Sequence, residues 1–196
     1  MLPWLMGFFG FGLYLLYDID SFVGLWRPLK LGFLIGTVLI GVSTLLQFVA
    51  AWRQQAFSDW WDIPLLVLGL LALAALIYCL FFALPFDATY TNPEQGRRVY
   101  TCGAYALCRH PGILCFFAMY LFWGLAALPT GFLWCGMTFS VLNLAYAWFQ
   151  DRVTFPKTFC DYESYRESTP FLLPTVNSLR RARRTWGQPY EKEEEL

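Results

Sequence analysis

The sequence predicts an all-α integral membrane protein of about five transmembrane helices, with its N-terminus outside and its C-terminus cytoplasmic. An interfacial helix is expected on the cytoplasmic side after the last span. Three observations carry that prediction. The chain is 58% hydrophobic and 20% aromatic but only 14% charged, against ~25% charged for an ordinary soluble domain. Its apolar residues gather in blocks near the ~20 residues that cross hydrocarbon, none with a polar face wide enough for a soluble helix. Its Lys and Arg residues fall almost entirely on one side of those blocks.

The first block, Met1–Tyr17, has no basic segment before it and no small-residue cleavage site after it, so it reads as a span rather than a cleaved signal. Gly32–Trp52 follows, with Gly32, Gly36 and Gly41 predicting close helix packing. The next loop, Phe57-Ser58-Asp59-Trp60-Trp61, has the composition of an interfacial aromatic anchor. Ile63–Phe86 is the third block and Ile113–Leu128 the fourth; the first and fourth are short and lean on flanking residues or tilt. Leu128-Pro129-Thr130-Gly131 is a tight hairpin that sets the fifth block, Phe132–Phe149, antiparallel to the fourth. No internal repeat relates the blocks, so duplicated transporter halves are not expected.

After the fifth block, Pro156 permits a helix start, and Phe155, Phe159 and Tyr162 share one face. Pro170 and Pro174 end this interfacial helix, with Phe171-Leu172-Leu173 expected to turn back towards lipid. Residues 1–176 thus read as one helical membrane domain and 177–196 as a charged cytoplasmic tail. In that tail Arg180, Arg181, Arg183 and Arg184 form a basic cluster able to attract anionic lipid, offset by the acids of Glu191 to Glu195. A solvated, partly disordered end is expected.

Orientation follows from the basic residues. With the N-terminus outside, Arg27, Lys30, Arg97, Arg98, Arg109 and the basic tail face the cytoplasm, and only Arg53 of the 14 Lys and Arg residues does not. The six cysteines lie in spans or on the cytoplasmic side, so disulfides are not expected. Cys102, Cys108 and His110 lack the fourth ligand of a zinc site, and no metal is assigned.

Chemistry concentrates where the only histidine sits, in Arg109-His110-Pro111 at the mouth of the fourth block. Charge beside hydrocarbon must be paired or solvated, and such residues commonly serve a function. The hairpin brings residues 87–112 and 150–175 to one membrane face, so Arg109 and His110 are expected near Asp151, Arg152 and a Tyr-rich stretch. Asn143, Tyr146 and Gln150 line one helical face ending near Asp151; interhelical hydrogen bonding and a pocket wall both account for it.

Gly103-x-Tyr105-x-x-x-Arg109-His110-Pro111 opening a membrane helix, then the hairpin, Asp151, and Phe159-x-x-Tyr162-x-x-Tyr165-x-x-x-Thr169-Pro170-x-x-x-Pro174, resembles the isoprenylcysteine carboxyl methyltransferase and phospholipid methyltransferase superfamily. The likeness covers about residues 100–175. Arg152 stands where many members carry a second acid, Ile113 where a Tyr often follows, and Cys160 at a common Gly.

The resemblance implies S-adenosylmethionine as cofactor and methyl transfer at the cytoplasmic face to a lipophilic or small acceptor entering from the bilayer. It implies that Arg109 and Asp151 are catalytic and that Tyr105, His110, Pro111, Tyr162 and Tyr165 hold the cofactor. The expected partners are the lipid bilayer and the acceptor, not nucleic acid. A reductase of the sterol-reductase type using a nicotinamide dinucleotide phosphate shares likeness over the same region but generally has more spans. A non-catalytic membrane interaction protein is the third reading, with Arg109 and His110 as anchors.

Overall fold

The computed structural model describes residues 1–24, 31–83 and 97–187. It is 77% helix, with no strand among the described residues. The helices are α1 (Leu2–Val23), α2 (Gly32–Arg53), α3 (Asp62–Ile77), α4 (Ala104–Leu107), α5 (Pro111–Ala126), α6 (Phe132–Phe149), α7 (Phe155–Thr158), α8 (Tyr162–Ser168) and α9 (Val176–Thr185). A π-helical turn extends α3 over Tyr78–Phe82, and another joins α6 to α7 over Gln150–Thr154.

Among the described residues, four helices are long and apolar enough to cross a membrane: Leu2–Ser21, Gly32–Arg53, Asp62–Phe82 and Phe132–Thr158. α5 is equally apolar but has 16 residues, about 24 Å at ~1.5 Å per residue. Phe9, Leu45, Ile63, Leu71, Trp134 and Val141 are among many large apolar side chains left exposed along these helices. Water does not tolerate apolar surface on that scale, and lipid does. The chain is an all-α membrane protein.

One helix boundary differs clearly from the sequence reading. α1 does not stop at Tyr17 but continues through Asp18 and Asp20 to Val23, because both acids are buried rather than left in hydrocarbon. The end of the third block beyond Ala83, the basic pair Arg27 and Lys30, and the acidic run from Glu191 to Glu195 lie outside the described residues.

The chain forms two compact units, one of Met1–Leu73 with Phe116–Thr154 and the other of Ala74–Cys115 with Phe155–Leu196. In the first unit α1 and α2 run antiparallel. The Ser43 hydroxyl donates to the Pro3 carbonyl (2.8 Å), Tyr14 and Thr37 share a hydrogen bond (2.8 Å), and Tyr14 stacks on Phe33 (4.8 Å between centroids). Close approach is made by glycine: a Cβ on Gly36 would lie 2.7 Å from the Gly10 carbonyl oxygen, and one on Gly10 would lie 2.9 Å from that of Gly36. Gly32 also faces α1, but a Cβ on Gly41 would meet nothing within 4 Å, so only two of the three expected packing glycines pack.

α6 lies on α1 with the opposite relation, parallel to it. Phe139 fills the space over Gly7, and Tyr14 meets Tyr146 (5.4 Å). The expected hairpin forms, placing the Gly124 backbone against Leu133 and the Gly136 backbone against the Tyr120 ring. Tyr120 bonds Thr44 of α2, and Trp123 packs edge-on to Phe48 (4.8 Å).

Short elements build the second unit. Phe159 pairs with Arg97 in an isolated parallel bridge, with the Cys160 N–H donating to the Arg97 carbonyl (3.0 Å). The Val99 N–H donates to Asp161 Oδ1 (2.9 Å). That pairing interrupts the expected interfacial helix, which is instead two pieces, α7 and α8. Phe155, Phe159 and Tyr162 do gather, packed with Val99 and Tyr165 into one core. The predicted disordered end is, as far as Thr185, the helix α9. It starts in a capping box, Thr175 Oγ1 accepting from the Ser178 N–H and Ser178 Oγ accepting from the Thr175 N–H.

Candidate functional site

The segment carrying Arg109 and His110 is shaped by three backbone decisions. Gly103 takes a positive φ of 57°, which lets the chain turn into α4 without a Cβ clash. Cys108, with φ −157° and ψ 163°, is extended and ends α4. Pro111 then occupies the first position of α5, where its missing N–H costs no helical hydrogen bond. Arg109 and His110 are thereby fixed between two helices.

Arg109 is held at both its ends. Its backbone N–H donates to the Pro170 carbonyl (2.9 Å) and its Nη1 to the Arg166 carbonyl (2.9 Å), while the guanidinium sits 5.6 Å from the Phe171 ring centre. The Arg166 carbonyl lies in the last turn of α8, where carbonyls have no helical partner and attract positive charge. His110 is buried, stacked with Phe155 (5.8 Å, 13°) and edge-on to Phe171 (5.0 Å, 62°). Phe171 therefore turns inward, contrary to the expectation that it faces lipid; Leu173 remains exposed.

The tyrosines knit the same unit. Tyr165 donates its hydroxyl to the Tyr105 carbonyl (2.7 Å), and Tyr105 donates its own to the Cys79 carbonyl (3.0 Å). Tyr162 is 2% exposed, with its ring against Phe155 (5.5 Å) and Tyr165 (6.0 Å). Burial pushes the Tyr165 hydroxyl well above its ordinary pKa, with Tyr162, Tyr105 and Cys108 adding and Arg109 opposing. Burial likewise pushes the Cys108 thiol up to about 11. This is a dry environment in which the neutral forms persist.

Six of the seven predicted site residues (Tyr105, Arg109, His110, Pro111, Tyr162 and Tyr165) thus fall in the second unit, where Arg109 and His110 meet the segment from Phe155 to Phe171. Asp151 belongs to the first unit. It is 2% exposed and sits in the π-helical turn, a distortion that often marks functional positions.

Two residues of consequence had no place among the predicted site residues. Arg181, placed in the tail, donates through Nη2 to the Ser168 carbonyl (2.8 Å) and to Thr169 Oγ1 (2.6 Å), so a second arginine serves the end of α8. Asp18 is 4% exposed and hydrogen-bonds with Tyr146, Gln150 and Thr154, the last at 3.4 Å, while Gln150 Nε2 donates to the Tyr146 hydroxyl (3.0 Å). The polar face of Tyr146 and Gln150 is therefore an interhelical hydrogen-bonding face. An acid one residue beyond the apolar block was the available signal. No family model, no curated protein and no solved structure matches the chain.

Proposed function

We propose that this chain is a small membrane methyltransferase that uses S-adenosylmethionine, with its site on the second unit facing the cytoplasm. The observation that carries the reading is the meeting of two segments far apart in sequence: Arg109 bonds the Pro170 and Arg166 carbonyls while His110 packs against Phe155 and Phe171. The donor set there fits such a cofactor in chemistry. Arg109 is a planar cation suited to a carboxylate, and the partly exposed rings of Phe155 and Phe171 are of the type that packs against a sulfonium cation. When bound, that cofactor supplies an electrophilic methyl group. In this reading Arg109 and His110 bind and orient, the tyrosine core excludes water, and alignment supplies most of the rate.

The same proposal includes five crossings with the N-terminus outside. In the first unit α1 and α6 run one way while α2 and the Phe116–Ala126 part of α5 run the other, as alternating crossings require. α5 is short of the ~30 Å hydrocarbon core, and its polar mouth accounts for the difference. One observation favours the third reading, a non-catalytic interaction protein: the hydroxyls of Tyr105 and Tyr165 and Nη1 of Arg109 all bond backbone carbonyls of their own unit.

Calorimetric titration of the detergent-purified protein with S-adenosylmethionine separates these readings, with the reduced nicotinamide dinucleotide phosphate run in parallel. Saturable binding of the first, lost in His110→Ala while the fold is retained, is expected. Binding of the second alone transfers the site to a reductase, and silence from both transfers it to the interaction reading.

A further inference from the structure

α9 is fastened along one face and bare along the other. Ser178 and Ala182 are buried, Arg181 reaches the end of α8, and Thr185 Oγ1 accepts from the Gly103 N–H (3.0 Å). At ~3.6 residues per turn the opposite face carries Val176, Leu179, Arg180, Arg183 and Arg184, all exposed. Leu173 before the helix and Trp186 after it are exposed as well, and the helix itself contains no acid. Three arginines and four large apolar side chains therefore share one fixed surface.

Its level is marked by an aromatic pair. Trp186 stacks on Tyr78 (6.2 Å between centroids, 16°), and Tyr78 begins the last turn of the long apolar α3 helix. An apolar span ends at the headgroup region, where Trp and Tyr concentrate. α9 is thus held where an apolar helix leaves the hydrocarbon.

We propose that the exposed face of α9 docks on anionic phospholipid headgroups, with Arg180, Arg183 and Arg184 on the phosphates and Leu173, Val176, Leu179 and Trp186 in the acyl boundary. Charge complementarity decides the occupant. Guanidinium groups pair bidentately with phosphate, and a zwitterionic surface offers no net attraction. The apolar side chains explain why the surface wants a bilayer rather than a soluble polyanion. This inference needs only the membrane, and stands whether or not the chain transfers methyl groups.

The test reconstitutes the full chain in phosphatidylcholine vesicles and replaces a rising fraction of lipid with brominated phosphatidylglycerol or, separately, brominated phosphatidylcholine. The Trp186 contribution to fluorescence quenching is isolated by difference from Trp186→Phe. Expected is a steeper curve for phosphatidylglycerol, each arginine contributing about fivefold to the preference. In Arg180→Gln/Arg183→Gln/Arg184→Gln, which leaves Arg181 and the buried face intact, the two curves converge with unchanged helicity. Coincident curves in the parent protein overturn the proposal. So does an anionic preference that emerges only after removal of residues 188–196, which would assign the surface to the chain's own acidic end.

Discussion

Asp18 of the first unit and Arg109 of the second are charged groups satisfied in opposite ways. In the first, Asp18 is met by side chains, Tyr146, Gln150 and Thr154, arriving from one face of a neighbouring helical segment. In the second, Arg109, Arg181 and Tyr165 are met by backbone carbonyls. The difference comes from helix length. A long helix satisfies its own backbone, so its side chains are left to bond one another. A helix as short as α8, Tyr162–Ser168, has few internal hydrogen bonds and leaves its last carbonyls for others to satisfy. Arginines supply that need, so the residues most suggestive of catalysis also hold the second unit together.

The largest expected effect probes the dryness of the second unit. Cys108 is fully buried, with its thiol raised from an ordinary value of 9.0 to about 11, whereas Cys160 is exposed. Two pH units reduce the thiolate, the reactive form, about a hundredfold, and burial slows reagent entry further. Iodoacetamide followed by mass spectrometry should modify Cys160 promptly and Cys108 only on unfolding; similar rates would mean that the core is wet. Because the folded state holds this proton more tightly, the contribution is complete below pH 9.0 and is lost as pH rises towards 11. Denaturation midpoints across that range should fall.

Next comes the glycine contact of the first unit. Gly36→Ala places a methyl 2.7 Å from the Gly10 carbonyl oxygen, a rigid neighbour, so α1 and α2 must separate. A loss of ~1–3 kcal/mol is expected in reversible unfolding in detergent, the usual cost of overpacking. Tyr165→Phe is the counterpart in the second unit. It removes the hydroxyl from the Tyr105 carbonyl while keeping the ring, for a loss of ~1 kcal/mol. A loss equal to that of Gly36→Ala would show that the hydroxyl holds more than one carbonyl.

How far the sequence revealed this molecule follows from the same contrast. Hydropathy located all five long apolar helices among the described residues, and the short fourth block is a short helix. It cut the first one at Tyr17 because an acid in an apolar run reads as an end, whereas the polar face of Tyr146 and Gln150 receives that acid. Pro156 suggested a helix start, but α6 runs on through a π turn to Thr158, and periodicity alone does not reveal a π turn. The meeting of Arg109 and His110 with the stretch from Phe155 to Phe171 was legible. Arg181 was not, because nothing in a basic tail tells which arginine will find the end of a seven-residue helix.

The smallest effect isolates the cause of the glycine result. Gly41 lies in the same helix as Gly36, five residues on, but a Cβ there would meet nothing within 4 Å. If Gly36→Ala acted through helix propensity, Gly41→Ala would act alike, and in water alanine would be favoured by up to ~1 kcal/mol. In a membrane the backbone of a span is already committed to helix, since unsatisfied amides cost too much there. Gly41→Ala is therefore expected to change the unfolding free energy by less than ~0.5 kcal/mol, as for an exposed site away from special contacts. A loss matching that of Gly36→Ala would remove the Gly10 contact as the explanation and place the cost in α2 itself.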